Sequence, residues 1–236
     1  MSLKNITIML LILICKMTSV QTIISNPGKG ITFDNYRYST IILGNGQEWF
    51  AENLRTATYA NGDVIPNVID SNLWGSGTSG AWCHYANDAK FENLFGKLYN
   101  WIIVTDPRNV CPLGWHVPNE SDWNSLIKYL DPEADTICEH CNQSLFAGGM
   151  IKSTGIEIWK SPNKGATNIS GFSGLPGGYR LHSGSFSGIR GYAFWWSATR
   201  QSDTESWSRP LNSVGSNIPK NDSYAGNGYS IRCLKD

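Results

Sequence analysis

Gly-Phe-Ser-Gly-Leu-Pro-Gly-Gly-Tyr-Arg (171–180), Phe-Trp-Trp-Ser-Ala-Thr (194–199) and Gly-Tyr-Ser-Ile-Arg-Cys (228–233) decide how this chain reads. Glycine, tryptophan and small polar residues alternate through 171–233, and no stretch carries the 3.6-residue apolar period of an amphipathic helix. The pattern predicts twisted, loop-rich β structure, with short strands near 172–175, 194–197, 206–211 and 229–234. Clustered titratable groups of the kind an active site needs are absent from it.

Upstream, local signals are clearer. Residues 38–43 alternate, break at Gly44-Asn45-Gly46 and resume at Gln47, which predicts a hairpin with an Asn-Gly turn. Residues 61–80 are rich in Gly, Pro, Asn and Ser and read as loop. Over 93–103, Leu94, Leu98, Trp101 and Ile102 fall at helical spacing, but Gly96 interrupts them. Asn119, with Asp122 three residues on, forms a helix start. Trp123, Leu126, Ile127 and Leu130 then form one apolar stripe, and Asp131-Pro132 ends it. Helix early and strands late predict an α+β domain, with one or two helices and small twisted antiparallel sheets joined by long loops. Trp195 and Trp196, adjacent in a strand, should face opposite ways, one inward and one outward.

The 236 residues carry equal numbers of acidic and basic side chains, and charged residues make up only 16%. Without a basic run there is no means of neutralising phosphates, so nucleic acid is excluded as the expected partner. Ten Trp and ten Tyr can build much of a core that lacks long helices. At the N-terminus, Lys4, an apolar run over 6–14 and then Thr18, Ser19 and Thr22 read as a secretory signal over 1–22, cut between Ser19 and Thr22. The run is shorter than the roughly 20 residues of a membrane span. Cys15 raises a lipid anchor, but the Ile14 before it is not the small residue such attachment wants. A lead-in over 23–38 precedes one domain over 39–236, secreted or held on the outer cell surface.

Past the signal remain Cys83, Cys111, Cys138, Cys141 and Cys233, an odd number of disulfide candidates. Cys111 and Cys233 flank the most strand-like and turn-like motifs and are expected to pair. Cys138-Glu-His-Cys141 has redox or zinc spacing, yet a zinc ribbon needs a second such pair. A local disulfide or two loosely held thiols is the expectation. The four histidines (His84, His116, His140, His182) are scattered outside any protease or triad motif. His116 reads as packing at the base of the helix, and Glu48 and Glu52 flank a strand turn rather than pairing for acid/base work. No dense Asp/Glu run resembles a calcium loop. No metal or cofactor is expected, and the chain reads as non-enzymatic.

An ordered set of motifs carries a resemblance. Gln47-Glu-Trp-Phe-Ala-Glu-Asn-Leu54, Cys111-Pro-Leu-Gly-Trp-His-Val-Pro118, Asp122-Trp123 and Gly165-Ala-Thr-Asn168 are followed by Gly171-Phe172, Leu175-Pro-Gly-Gly-Tyr-Arg180, Trp195-Trp-Ser197 and Ser230-Ile-Arg-Cys233. Together they closely resemble the Fibrobacter succinogenes major paralogous domain family of secreted and surface proteins, over residues 39–236. That family is similar to a wider group with a C-type-lectin-like fold, which includes formylglycine-generating enzymes and retroelement-diversified binding proteins. The resemblance implies a mixed fold whose N- and C-terminal strands lie together, an arrangement that a Cys111–Cys233 bridge would suit. The diversified relatives imply a ligand face in the polar stretch 199–227, with Trp207, Arg209, Asn217, Asn221 and Tyr224 as candidates. Such side chains stack on and hydrogen-bond to sugars, or meet another surface protein. The expected partner is therefore a polysaccharide, another glycan or a surface protein. A surface-layer building block is the architectural alternative. Formylglycine generation is the enzymatic one, but it requires two closely spaced cysteines near the C-terminus, where only Cys233 stands.

Overall fold

The computed structural model describes residues 22–236, so the expected signal segment, Cys15 included, lies outside the described residues apart from Thr22. The fold is built of small antiparallel sheets and few helices. A five-stranded sheet runs Ser25–Pro27, Thr40–Leu43, Glu48–Phe50, Leu234–Lys235, Trp115–His116 in spatial order. The last strand of the chain thus pairs with Trp49 on one side and with Trp115 and His116 on the other. A three-stranded sheet joins Tyr192–Arg200, Glu205–Asn212 and Asn221–Tyr224.

The predicted hairpin forms, with Ile41 opposite Trp49 and Ile42 opposite Glu48. Gly46 sits at φ 89°, a conformation its missing Cβ permits, and its N–H closes the turn on the Leu43 carbonyl. The predicted helix spans Glu120–Leu130. Asn119 caps it by accepting from the Ser121 and Asp122 amides, and Asp122 returns a bond from the Asn119 N–H. Its stripe wedges between the sheets, with the Trp123 ring 4.9 Å from Trp49 and 6.3 Å from Trp195.

Several expectations are corrected. The lead-in is part of the sheet, because Ser25–Pro27 pairs with residues 41–43. Within 61–80 a short helix, Ser71–Ser76, is capped by Asp70. The 93–103 segment splits at Gly96 into two short helices, Glu92–Phe95 and Trp101–Val104, separated by the strand Leu98–Tyr99. Gly96 has φ 71° and lies where a Cβ would stand 2.6 Å from the Leu54 carbonyl oxygen, so helical spacing loses to a backbone contact. Residues 172–175 form no strand; their ladder contact is a single parallel bridge from Gly174 to Lys152. Most of 199–227 is strand rather than loop.

Trp195 and Trp196 are both fully buried, against the expectation that one faces solvent. The alternation itself holds: the two rings enter different cores. Trp195 packs with Trp49, Trp123, Trp159 and Phe172, and Trp196 packs with Tyr99, Trp101 and Tyr229. Strand Tyr192–Arg200 is the partition between the two cores, so neither of its faces is wet along this stretch.

A core crossed by so many irregular segments must satisfy backbone carbonyls that no ladder reaches. Buried cations do this. Arg232 donates to the carbonyls of Phe50, Phe172 and Ser173 and to Asn53 Oδ1. Arg180 donates to the carbonyls of Val68, Ile69 and Gly184, and the Lys152 ammonium to those of Lys164, Asn212 and Gly215. All three side chains are fully buried. The arginines of the Leu175–Arg180 and Ser230–Cys233 motifs are therefore read as collectors of loop carbonyls, which explains why guanidinium, with five donors in a fixed fork, occupies those positions.

Two disulfides are present among the described residues. Cys111–Cys233 joins residues 122 apart and staples the loop before Trp115 to the final strand. Closing a loop that long restricts the unfolded chain by about 4–5 kcal/mol. Cys138–Cys141 closes a local turn, and among the described residues Cys83 is the free cysteine, buried, with its thiol pushed up to about 12 by burial. Such bridges belong to an oxidising, extracellular environment. Among the described residues no helix is long and apolar enough to cross a membrane.

Candidate functional site

Strands Tyr192–Arg200 and Glu205–Asn212 pair antiparallel, and the turn end between them carries Arg200, Asp203 and Thr204. Beside it the turn after Asn221–Tyr224 docks through an Ala225 N–H to Thr204 carbonyl bond of 2.8 Å, and Trp101 N donates to the Ala225 carbonyl at 2.9 Å. The end of the Ser71–Ser76 helix approaches from the other side, anchored by Trp74 Nε1 on the Gly226 carbonyl at 2.9 Å. Between these segments opens a cleft of about 330 Å³.

Its walls are amphipathic. The Arg200 guanidinium lies 4.8 Å above the Trp101 ring and donates to the Asp203 carbonyl at 2.9 Å, so its charge is held at the rim rather than free to swing. Trp101 is itself fixed, because Nε1 donates to the Ser197 carbonyl at 2.8 Å. The Tyr224 ring, 42% exposed, rests edge-on to His182 with centroids 4.8 Å apart, and a Cβ on Gly226 would stand 2.8 Å from it. Thr78, Thr105 and Thr204 add exposed hydroxyls. The arrangement offers one aromatic face, one cation, one carboxylate and several hydroxyls, all on rigid supports.

Of the five residues expected at a ligand face, only Tyr224 lines this cleft. Arg209 is fully buried; its Nη2 donates to Glu120 Oε2 at 2.8 Å, and burial pulls its guanidinium below the usual range while Glu120 opposes that. It joins the sheet to the long helix and does not face solvent. Trp207 is 5% exposed, covered by the Lys220 ammonium at 4.0 Å and by the His140 ring at 5.3 Å. Asn217 bonds to Asn142 across a two-strand ladder, and Asn221 sits half-buried opposite Ser208. Composition pointed to this ribbon, but Trp207, Arg209, Asn217 and Asn221 are covered or tied up by neighbouring segments. Arg200, Thr105 and the helix end at 75–78 went unread, since no local pattern brings them together.

The other histidine expectation can be placed as well. His116 Nδ1 lies 2.6 Å from Asp236 and Nε2 lies 3.2 Å from Asp122, so the ring bridges the helix cap and the C-terminus. Among the described residues no group of three His, Cys, Asp or Glu comes together in a way that could hold a metal ion.

The sequence profile of the Fibrobacter succinogenes major domain matches residues 43–235, which is most of the chain. The chain belongs to that family. No curated protein and no solved structure matches it. In this Fibrobacter succinogenes major domain the quoted motifs map onto the frame: the hairpin, the helix cap, the partition strand and the arginine collectors. The cleft instead gathers positions outside those motifs, including Arg200, Asp203, Thr204 and Tyr224.

Proposed function

We propose that this protein is a secreted or surface-held binding module, of C-type-lectin-like character, that takes a glycan in the cleft beside Tyr224. The observation that carries the reading is the pairing of an exposed tyrosine face with the Arg200 and Asp203 side chains at one rim. A sugar ring stacks its C–H face on an aromatic and engages charged and hydroxyl groups through its own hydroxyls. A cleft of this size holds one or two sugar units, with a longer polymer passing over the open ends. The binding reading is favoured over a formylglycine-generating oxidase because Cys233 is tied to Cys111, fully buried, and no second cysteine stands beside it in the sequence. The signal-like N-terminus and the two disulfides support export.

A glycan array followed by calorimetric titration tests this. The wild-type protein should bind at least one glycan class, and Tyr224→Ala and Arg200→Ala should each weaken that binding about tenfold. Silence of the wild type across the array, or equal binding by both variants, would sink the glycan reading.

A further inference from the structure

The Cys138-Glu-His-Cys141 turn has no part in the cleft, yet it is built against the same three-stranded sheet. Its two ends are anchored by backbone. Asp135 N donates to the Gln143 carbonyl at 2.9 Å, and the strand Asn142–Ser144 pairs with Ile218–Pro219. Between those anchors the turn holds down Trp207. His140, at φ 55°, lays its ring 5.3 Å from the indole and its Nδ1 3.2 Å from Asp222, the residue cross-strand from Trp207. Glu139 Oε1 lies 3.4 Å from the Lys220 ammonium, which covers the indole at 4.0 Å, and the Cys141 carbonyl accepts from Lys220 N at 3.0 Å.

The two disulfides differ in ways that decide which is reduced first. Cys111 and Cys233 are both 0% exposed, so a thiol in solution cannot reach their sulfurs without unfolding. Cys138 and Cys141 are half-buried beside the exposed Glu139 and His140. The bridges close loops of 122 and 3 residues.

We propose that Cys138–Cys141 is a thiol–disulfide exchange site whose reduction releases His140 and uncovers Trp207. The reaction partner is a low-molecular-weight thiol. Its thiolate attacks one sulfur of the bridge, forming a mixed disulfide and expelling the other sulfur as a thiolate, which takes up a proton. A second thiolate then attacks the mixed disulfide, leaving two protein thiols and one oxidised small-molecule disulfide. Two electrons pass from the small thiols to the protein. The backbone anchors at Asp135 and Asn142–Ser144 do not depend on the bridge, so the turn opens while the sheet persists.

The test is graded reduction of the intact protein with dithiothreitol, thiol alkylation and peptide mass spectrometry, with acrylamide quenching of tryptophan fluorescence in parallel. Cys138 and Cys141 should be alkylated at a dithiothreitol concentration at least about tenfold below that which exposes Cys111 and Cys233. Quenching should rise with that first step, and the rise should be absent in Trp207→Phe. A Cys138→Ser, Cys141→Ser double variant should show the higher quenching without reductant. Simultaneous reduction of both bridges, or selective reduction with unchanged quenching, would overturn the proposal.

Discussion

Replacing Arg232 by lysine keeps the positive charge and removes the fork. In the native chain the guanidinium makes four hydrogen bonds of 2.6–3.0 Å, to three carbonyls from two segments and to Asn53. Burial pulls its pKa below the ordinary arginine range, with the Glu52 charge opposing. The cost of burying a charge therefore remains in the lysine variant, while a single ammonium on a thinner stem reaches about one of the four acceptors. Hydrogen bonds to a charged group contribute about 1.5–3 kcal/mol each, so losing three at the low end of that range removes about 4–5 kcal/mol. That is a large share of the 5–15 kcal/mol that typically holds a domain together. Equilibrium urea unfolding with both disulfides intact, followed by tryptophan fluorescence and far-ultraviolet circular dichroism, measures it. With a slope of about 2–3 kcal/mol/M, the midpoint should fall by roughly 1.5–2 M at unchanged slope. A fall of less than about 0.5 M would refute the view that Arg232 holds these segments together by its geometry.

Three further outcomes are expected. His116 has a raised pKa, first through the Asp122 hydrogen bond, against burial, with Asp236 adding to it. Its stabilisation is complete below its unfolded value and lost as pH rises through the raised folded one, so His116→Gln should cost more stability near about pH 5.5 than near about pH 8.5; a cost independent of pH would count against the bridge. Joint replacement of Cys111 and Cys233 by alanine should lower stability by about 4–5 kcal/mol in the same urea experiment, whereas loss of the Cys138–Cys141 bridge should cost about 2 kcal/mol. Gly96→Ala must place a Cβ at positive φ, 2.6 Å from the Leu54 carbonyl oxygen. It should destabilise by more than about 1 kcal/mol, against the helix-propensity gain that the local sequence would predict, and a stabilised variant in thermal melts would contradict the backbone reading.

Much of the frame was legible because its signals are local. The cap at Asn119, the four-residue stripe of the long helix and the Asn-Gly hairpin each need fewer than about a dozen neighbouring residues to be recognised, and each forms as read. The Cys111–Cys233 pairing followed from motif position and also forms. Expectation and structure part where burial depends on distant segments. Arg209 is a ligand-face candidate by position among the diversified relatives, but Glu120, nearly ninety residues earlier, gives it a buried partner. One of Trp195 and Trp196 is expected outside and neither is, because alternation says which face a residue is on, not what covers that face.

Apart from Tyr224 and the 199–227 stretch around it, the candidate cleft is not legible in the chain as written. Its walls come from 75–78, 101–105, 200–204 and 224–226, and no spacing rule joins segments that distant.

The sequence by itself determined the class of fold, the helix, the hairpin, the long bridge and, through its motifs, the family. Those depend on backbone propensity, short-range periodicity and cysteine chemistry, which act between near neighbours or need only a partner to exist. Tertiary structure alone decided that the aromatic, glycine-rich stretch at 171–233 partitions two cores, that Arg180 and Arg232 point inward to loop carbonyls, and that Tyr224 rather than Trp207 meets solvent. Exposure is a property of what packs on top, and here the covering groups, Lys220, His140 and Glu120, come from other parts of the chain.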